Sequence, residues 1–236
     1  MNLSSTPSLT ITLSFIPSSY RSWFTLRDGP RTVYVTGWAF ADSSLLAGEA
    51  FARHILNRVE KSQPFPEALR DLNGNFAVVL DSSEAIHLGV DTVRSIPLFY
   101  RADGNVVAVS DDLRLLQEGD RDIDGDSAIE YATAGYVTGP HTLFQGVAGI
   151  QSGECVSWPR EERSPRAERY YRYECSYDAD ASAEKLCEAF DETVVRAFGR
   201  IIETLDGRQV VIPLSSGLDS RLVASTFKRC EYDNVV

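Results

Sequence analysis

Residues Pro213 to Leu222, PLSSGLDSRL, gather three hydroxyls, a glycine and a carboxylate directly after the apolar run Val210–Ile212. Three chemistries use such a set: a serine nucleophile, a phosphate cradle and a helix N-cap. A nucleophile elbow needs G-x-S-x-G, and neither Ser215 nor Ser216 has glycine two residues before it. That fold also places its base after the serine, whereas His54, His87 and His141 all precede the loop. A Walker loop needs G-x-x-x-x-G-K-[ST], and no lysine stands in the required place. Ser215, Ser216 and Asp219 have the chemistry to cap a helix. The position argues for more than a cap. The loop joins an apolar run, readable as a buried parallel strand, to a helix start, where backbone N–H groups and the helix dipole favour an anion. Gly217 permits close backbone approach. Asp219 would repel bare phosphate and makes sense when it holds a Mg²⁺ that bridges phosphates.

The elements that must position this loop follow from periodicity. Ser182 opens a helix in which Leu186, Phe190, Val194, Phe198, Ile201 and Leu205 recur at helical spacing, and Asp206-Gly207 ends it. Gln209–Leu214 reads as a strand buried on both faces, Leu222–Arg229 as a helix, and Asp233–Val236 as the start of another strand. Helix, strand, loop, helix and strand in that order make an α/β unit. Two parallel strands cannot bury both faces of a sheet, so this unit is expected to be incomplete.

The text before it has another texture. Leu9, Ile11, Leu13 and Phe15 alternate with polar residues, as in a half-buried strand. Thr32–Thr36, Phe76–Asp81, Ala85–Val90, Pro97–Tyr100 and Val106–Ser110 are short β-branched or aromatic runs parted by Gly, Asp and Asn turns. Ala102-Asp-Gly-Asn105 marks a hairpin. Helical patterns run over Ser44–Val59 and Ser127–Ala134. These signs predict an α+β layered domain over 1–158, a polar linker over 159–181 (its Pro159–Arg169 stretch cannot build a core) and the α/β unit over 182–236.

Composition narrows the partners. A net charge of −11 disfavours nucleic acid and anionic membranes, both of which need a cationic face. No apolar run approaches the ~20 residues of a membrane span. Cys155, Cys175, Cys187 and Cys230 show no C-x-x-C pairing, which fits reduced thiols in a cytoplasmic protein better than disulfides or zinc.

Ser215-Ser-Gly-Leu-Asp-Ser220 resembles the S-G-G-[LI]-D-S pyrophosphate loop of the N-type ATP pyrophosphatases, most closely the asparagine synthetase family, with Ser216 replacing the first glycine. Leu72-Asn-Gly-Asn-Phe-Ala77 is similar to that family's L-x-G-x-F-A segment, and Gly89–Tyr100 to its R-D-x-x-G-x-x-P-L-Y-Y segment. Val109–Leu116, Gly146–Gly153 and Tyr170-Tyr171 resemble its A-S-E-x-K-A-L stretch, its G-[VI]-x-x-[LV]-x-P-G turn and the aromatic pair after it. The resemblance implies an Ntn-hydrolase-like αββα sandwich, followed by an incomplete parallel-sheet domain of the adenine nucleotide α-hydrolase-like type.

It also implies a function. ATP would activate a carboxylate as its adenylate, with pyrophosphate held by Leu214, Ser215, Ser216, Gly217, Leu218, Asp219 and Ser220 and Mg²⁺ held by Asp219. An amine donor would then attack. The expected partners are ATP, the carboxylate substrate and the amine donor, and the expected assembly is a homodimer. The glutaminase half departs from the family. Its nucleophilic cysteine follows the initiator Met, and Asn2 stands there. Thr36, before Gly37, replaces the asparagine that donates to the oxyanion, a loss usually costing ~10²–10³ in rate. Arg27-Asp-Gly-Pro30 does not map onto the R-G-P-D glutamine clamp, and Glu49 reads as a solvated helix carboxylate in preference to an amine-binding one. Glutamine hydrolysis is therefore expected to be absent. The amine is then free ammonia or part of the substrate, as in the related β-lactam synthetases and lasso-peptide cyclases. A non-catalytic scaffold is the alternative for the chain alone.

Overall fold

The uninterrupted apolar run near residue 76 becomes the centre of a sheet. In a computed structural model describing residues 10–60, 63–117, 123–176 and 180–236, the chain divides into two units, Met1–Tyr173 and Glu174–Val236. Asn2 and Leu9 lie outside the described residues.

The first unit opens with β1 (Thr12–Phe15), β2 (Phe24–Asp28), β3 (Arg31–Ala41) and β4 (Ser44–Ala47). Helices α1 (Gly48–Glu60) and α2 (Phe65–Arg70) follow, then β5 (Leu72–Asp81), β6 (Ala85–Val90), β7 (Phe99–Asp103) and β8 (Val106–Ser110). A 3₁₀ turn at Leu113–Leu116, α3 (Gly125–Ala134), β9 (Val147–Gly149), β10 (Glu154–Pro159) and β11 (Arg166–Arg169) complete it.

Seven strands form one sheet in the order β11-β10-β6-β5-β3-β2, with β4 pairing the far half of β3. Four more form a second sheet in the order β1-β8-β7-β9. Strand alternation divides the core. Ala77 and Val79 of β5, with Ile86, Leu88 and Val90 of β6, face the small sheet and meet Val107, Val109 and Ile11. Phe76, Val78 and Leu80 point the other way, onto Phe51, Ile55, Phe65 and Leu69 of α1 and α2. Phe76 to Leu80 are all buried because β5 is covered on both faces. The two sheets and the first helix layer of the expected αββα sandwich are present. The far face of the small sheet is covered by Leu116 and Leu113 of the 3₁₀ turn and by Phe144, so that layer is thin.

Several sequence expectations need correction here. Ser44–Ala47, expected at the start of a helix, is strand, because Asp42 takes a left-handed φ of 54° and turns the chain back onto β3. Part of the expected linker is also strand. Cys155, Val156 and Ser157 of β10 pair with Glu168, Ala167 and Arg166, and the first unit runs on through Tyr173. Tyr170 is buried against the core with its hydroxyl donating to Val90 O at 2.5 Å.

In the second unit Ser182 caps α4 (Ala183–Leu205) through a bond from Lys185 N, and Asp206 ends the helix with a left-handed φ of 48°. Helix α5 (Leu218–Arg229) packs on α4 through Phe198 and Phe227, whose ring centroids are 4.8 Å apart. The Arg229 guanidinium spans both oxygens of Asp191 at 2.6 and 2.8 Å. Gln209–Leu214 is not a doubly buried strand. Val210 makes one parallel bridge to Val235, no second neighbour among the described residues covers it, and Val211 and Leu214 are about 70% exposed.

Candidate functional site

The serine loop hangs between that bridge and α5. Val210 N donates to Asn234 O, Val236 N to Val210 O and Ile212 N to Val236 O, so the backbone is extended and parallel to the chain end as it enters Pro213. The loop is then held by its own hydroxyls. Gly217 N donates to Ser215 Oγ at 3.1 Å, Ser215 N donates to Ser220 Oγ at 3.2 Å, and the two hydroxyls lie 3.1 Å apart. The Arg221 guanidinium donates to Ser216 O at 2.8 Å. Ser216 stands outside the left-handed region, which among described non-glycine residues holds Asp42, Arg94, Asp206 and Glu231. The serine therefore replaces the motif's glycine without backbone strain.

Gly217 is the N-cap of α5 and supplies no side-chain acceptor. Ser215, Ser216 and Asp219 thus do not cap the helix, and its first-turn N–H groups are left for solvent or an anion. The structure brings Ser215, Gly217 and Ser220 together around this helix start, with Asp219 in its first turn. Leu214 and Leu218 flank the loop, both exposed. Among the described residues no group of three or more His, Cys, Asp or Glu side chains is placed to hold a metal ion. Asp219 is a single carboxylate.

In the first unit, Thr36 and Gly37 lie together on β3 at a cleft of about 370 Å³ that also takes in Ser22, Trp23, Phe24, Val35 and Gly48. Gly37 has φ 82°, and a Cβ there would come within 1.9 Å of Asn75 O, so only glycine fits. The buried Thr36 hydroxyl donates to Ser22 O at 2.8 Å. Among the described residues the lining has no acid, base or thiol. Glu49 sits beside it in α1 but pairs with Arg53, both well exposed. The chain enters β1 from the other end of the sandwich. Ile11 N donates to Arg160 O, and Arg160 reaches Asp81, which is the register partner of Thr32.

Two residues of this half were not singled out in the sequence. Asp91 is fully buried, and its carboxylate accepts from the N–H groups of Phe76, Val93 and Ser95 and from the Ser95 hydroxyl. It builds the turn that sets Ile96 against Gly37. Its signal was an aspartate directly after a strand with serine four residues on, an Asx-type turn. Arg94 occupies the glycine position of the R-D-x-x-G pattern, at φ 60°. Its guanidinium lies over the Phe99 ring at 5.4 Å, and burial lowers its pKa. Gly149 makes room, since a Cβ there would be 2.7 Å from Arg94 Nη2.

Other buried titratable groups are structural. His87 on β6 stacks on Phe65, with Nδ1 2.8 Å from Ser157 Oγ, and burial pushes its pKa down to about 4. Burial pushes the Cys155 thiol up to about 12, too high for a nucleophile.

Residues 55–171 match the family model of a glutamine amidotransferase domain. The matched span ends at Tyr171 and excludes Thr36, Gly37 and the serine loop. No curated protein matches the sequence. Among solved structures, the chain is similar to the glutamine phosphoribosylpyrophosphate amidotransferase of B. subtilis complexed with ADP and GMP, at 10% identity and a TM-score of 0.37. That match covers 65% of this chain and 32% of the amidotransferase. It is also similar to a structure described as the allosteric regulatory enzyme of purine biosynthesis, at 11% identity and a TM-score of 0.35, covering 65% and 31%. The chain spans about a third of the length of each. By the family match, residues 55–171 of the first unit form an amidotransferase-like module.

Proposed function

We propose that this chain belongs to an asparagine-synthetase-like, AMP- and pyrophosphate-forming amide ligase whose amidotransferase-like half has lost glutamine hydrolysis. One observation carries the reading. After the amidotransferase-like module, the residues SSGLDS join the segment bridged at Val210 to α5, whose first-turn N–H groups have no side-chain cap. Hydroxyls of Ser215, Ser216 and Ser220 would hold the pyrophosphate portion of ATP, with Gly217 allowing its close approach. ATP, when bound, supplies the driving force by adenylating a carboxylate.

A single carboxylate fits a nucleotide-borne Mg²⁺, which keeps several waters and needs only one or two protein carboxylates beside the phosphates. It does not fit an all-protein metal cage. Asp219 would hold that ion. The amine would be ammonia or a group on the substrate. The Thr36 hydroxyl is spent on Ser22, and among the described residues the cleft beside it offers no base or thiol.

ATP–pyrophosphate exchange by the full-length protein with candidate acids tests the reading. Exchange should collapse in Asp219→Ala, and exchange undiminished in that variant removes the assignment. Incubation with glutamine should release no glutamate, and steady release would overturn the claim of lost hydrolysis.

A further inference from the structure

Helix α3 buries almost nothing of itself. Of its ten residues only Ser127 is buried, while Ile129 and Tyr131 are 69% and 51% exposed, and Tyr136 just beyond it 61%. Isolated helices shorter than ~12–15 residues are marginal in water, and most helical stability comes from packing an apolar face. Yet α3 is fixed in place. Asp124 N donates to Leu143 O at 3.0 Å, Asp124 Oδ1 accepts from Ser127 N at 2.9 Å, and Gly135 closes the other end at φ 82°. Ile129 and Ala132, three residues apart, share the helix face that points away from Ser127, and Tyr136 lies past the Gly135 cap. Beside that strip lies a cleft of about 220 Å³ lined by Asp124, Asp126, Ser127, Glu130 and His141. Hydrogen bonds from Thr138 hold the Glu130 carboxyl below its ordinary range, and the N-cap bond does the same for Asp124.

An apolar strip bordered by three carboxylates selects its occupant by charge. A second copy related by a two-fold axis would set these carboxylates against themselves, on a chain of net charge −11. A lipid surface is equally poor, because interfacial helices use Lys and Arg against anionic headgroups and α3 has neither. We propose that α3 is a docking surface for a basic, amphipathic segment of a partner protein. A Lys or Arg of that segment would enter the Asp124–Asp126–Glu130 cleft, and an apolar side chain would cover Ile129 and Ala132. This proposal is independent of the ligase reading.

The test uses the full chain and a fluorescent amphipathic peptide made only of leucine and lysine, read by anisotropy. It should bind with micromolar affinity. Both Ile129→Ser and Asp126→Lys should weaken binding by about tenfold or more, and each changes an exposed residue. Glu161→Lys, the same charge change in a turn outside the patch, should leave affinity nearly unchanged, and the leucine–glutamate counterpart should not bind. Equal binding of the acidic peptide, no loss in Ile129→Ser and Asp126→Lys, or an equal loss in Glu161→Lys overturns the proposal. So does a dimer in light scattering that Ile129→Ser dissolves, which assigns the face to a second copy. Binding to phosphatidylserine vesicles that Ile129→Ser abolishes would assign it to membrane and overturn it as well.

Discussion

His87 should make the sandwich sensitive to mild acid. Its ring is enclosed between Phe65 and Ser157, and burial lowers its pKa from 6.5 to about 4. Between those values the unfolded chain binds a proton that the folded chain refuses, so stability rises with pH. The contribution is intact above 6.5, falls as the pH drops below it, and is fully lost below about 4. At pH 5 the imbalance is about 2 kcal/mol relative to pH 7.5, from the ratio of the two proton-binding polynomials. All three tryptophans, Trp23, Trp38 and Trp158, lie in the first unit, so their fluorescence in urea titrations reports on the sandwich. Wild type should lose about 2 kcal/mol more than His87→Leu on going from pH 7.5 to 5. Ser157→Ala should retain the acid loss, since burial and not the hydroxyl lowers the pKa. Equal losses in wild type and His87→Leu would refute the reasoning.

Other consequences are equally direct. Gly37→Ala drives a Cβ into Asn75 O at a left-handed φ and should cost more than ~2 kcal/mol, seen as a lower thermal midpoint. Arg94→Gly releases a left-handed arginine and an incompletely partnered guanidinium; it should raise stability by about 1 kcal/mol in the same titrations. The exposed Cys175 and Cys187 should react quickly with an aromatic disulfide reagent, while Cys155 stays silent until denaturant opens the sandwich.

What the sequence made legible was what burial writes into it. The unbroken apolar run of β5 and the helical recurrence from Leu186 to Leu205 announced themselves because packing selects side-chain type at fixed spacing. The 102–105 hairpin was readable through Gly104, which takes the positive φ its turn demands. Elements held by backbone alone were not. β11 is an edge strand of Arg, Ala, Glu and Arg, all exposed, and its pairing with β10 leaves no hydrophobic trace. β4 was hidden because Leu45 and Leu46 fit the helical period of α1 as well as they fit a strand. Gln209–Leu214 showed the reverse error, an apolar run whose composition promised burial that the described residues do not supply. At the candidate sites, the serine loop could be located by residue type, but its internal bonds and uncapped helix start could not. Asp91 was missed because its only trace is the short Asx-type signal of an aspartate after a strand with Ser95 four residues on, and Arg94 because it acts through a dihedral angle that leaves no pattern in a single sequence.

The placement of β1 sets a schedule for synthesis. Leu13 and Phe15 leave the ribosome long before their partners, since their strand pairs in parallel with Val106–Val109. Ser18 waits for Asp111, 93 positions later, and Ile11 for Arg160, 149 positions later. At ~5–20 residues per second, β1 stays without a partner for roughly 5 to 20 seconds, and its Arg160 clamp arrives after roughly 7 to 30 seconds. Meanwhile β2, β3, β5 and β6 can pair with near neighbours in sequence as they emerge. Although made before its partners, β1 is thus among the last strands of this unit to be fastened, and a nascent-chain chaperone would meet its apolar side before the fold does.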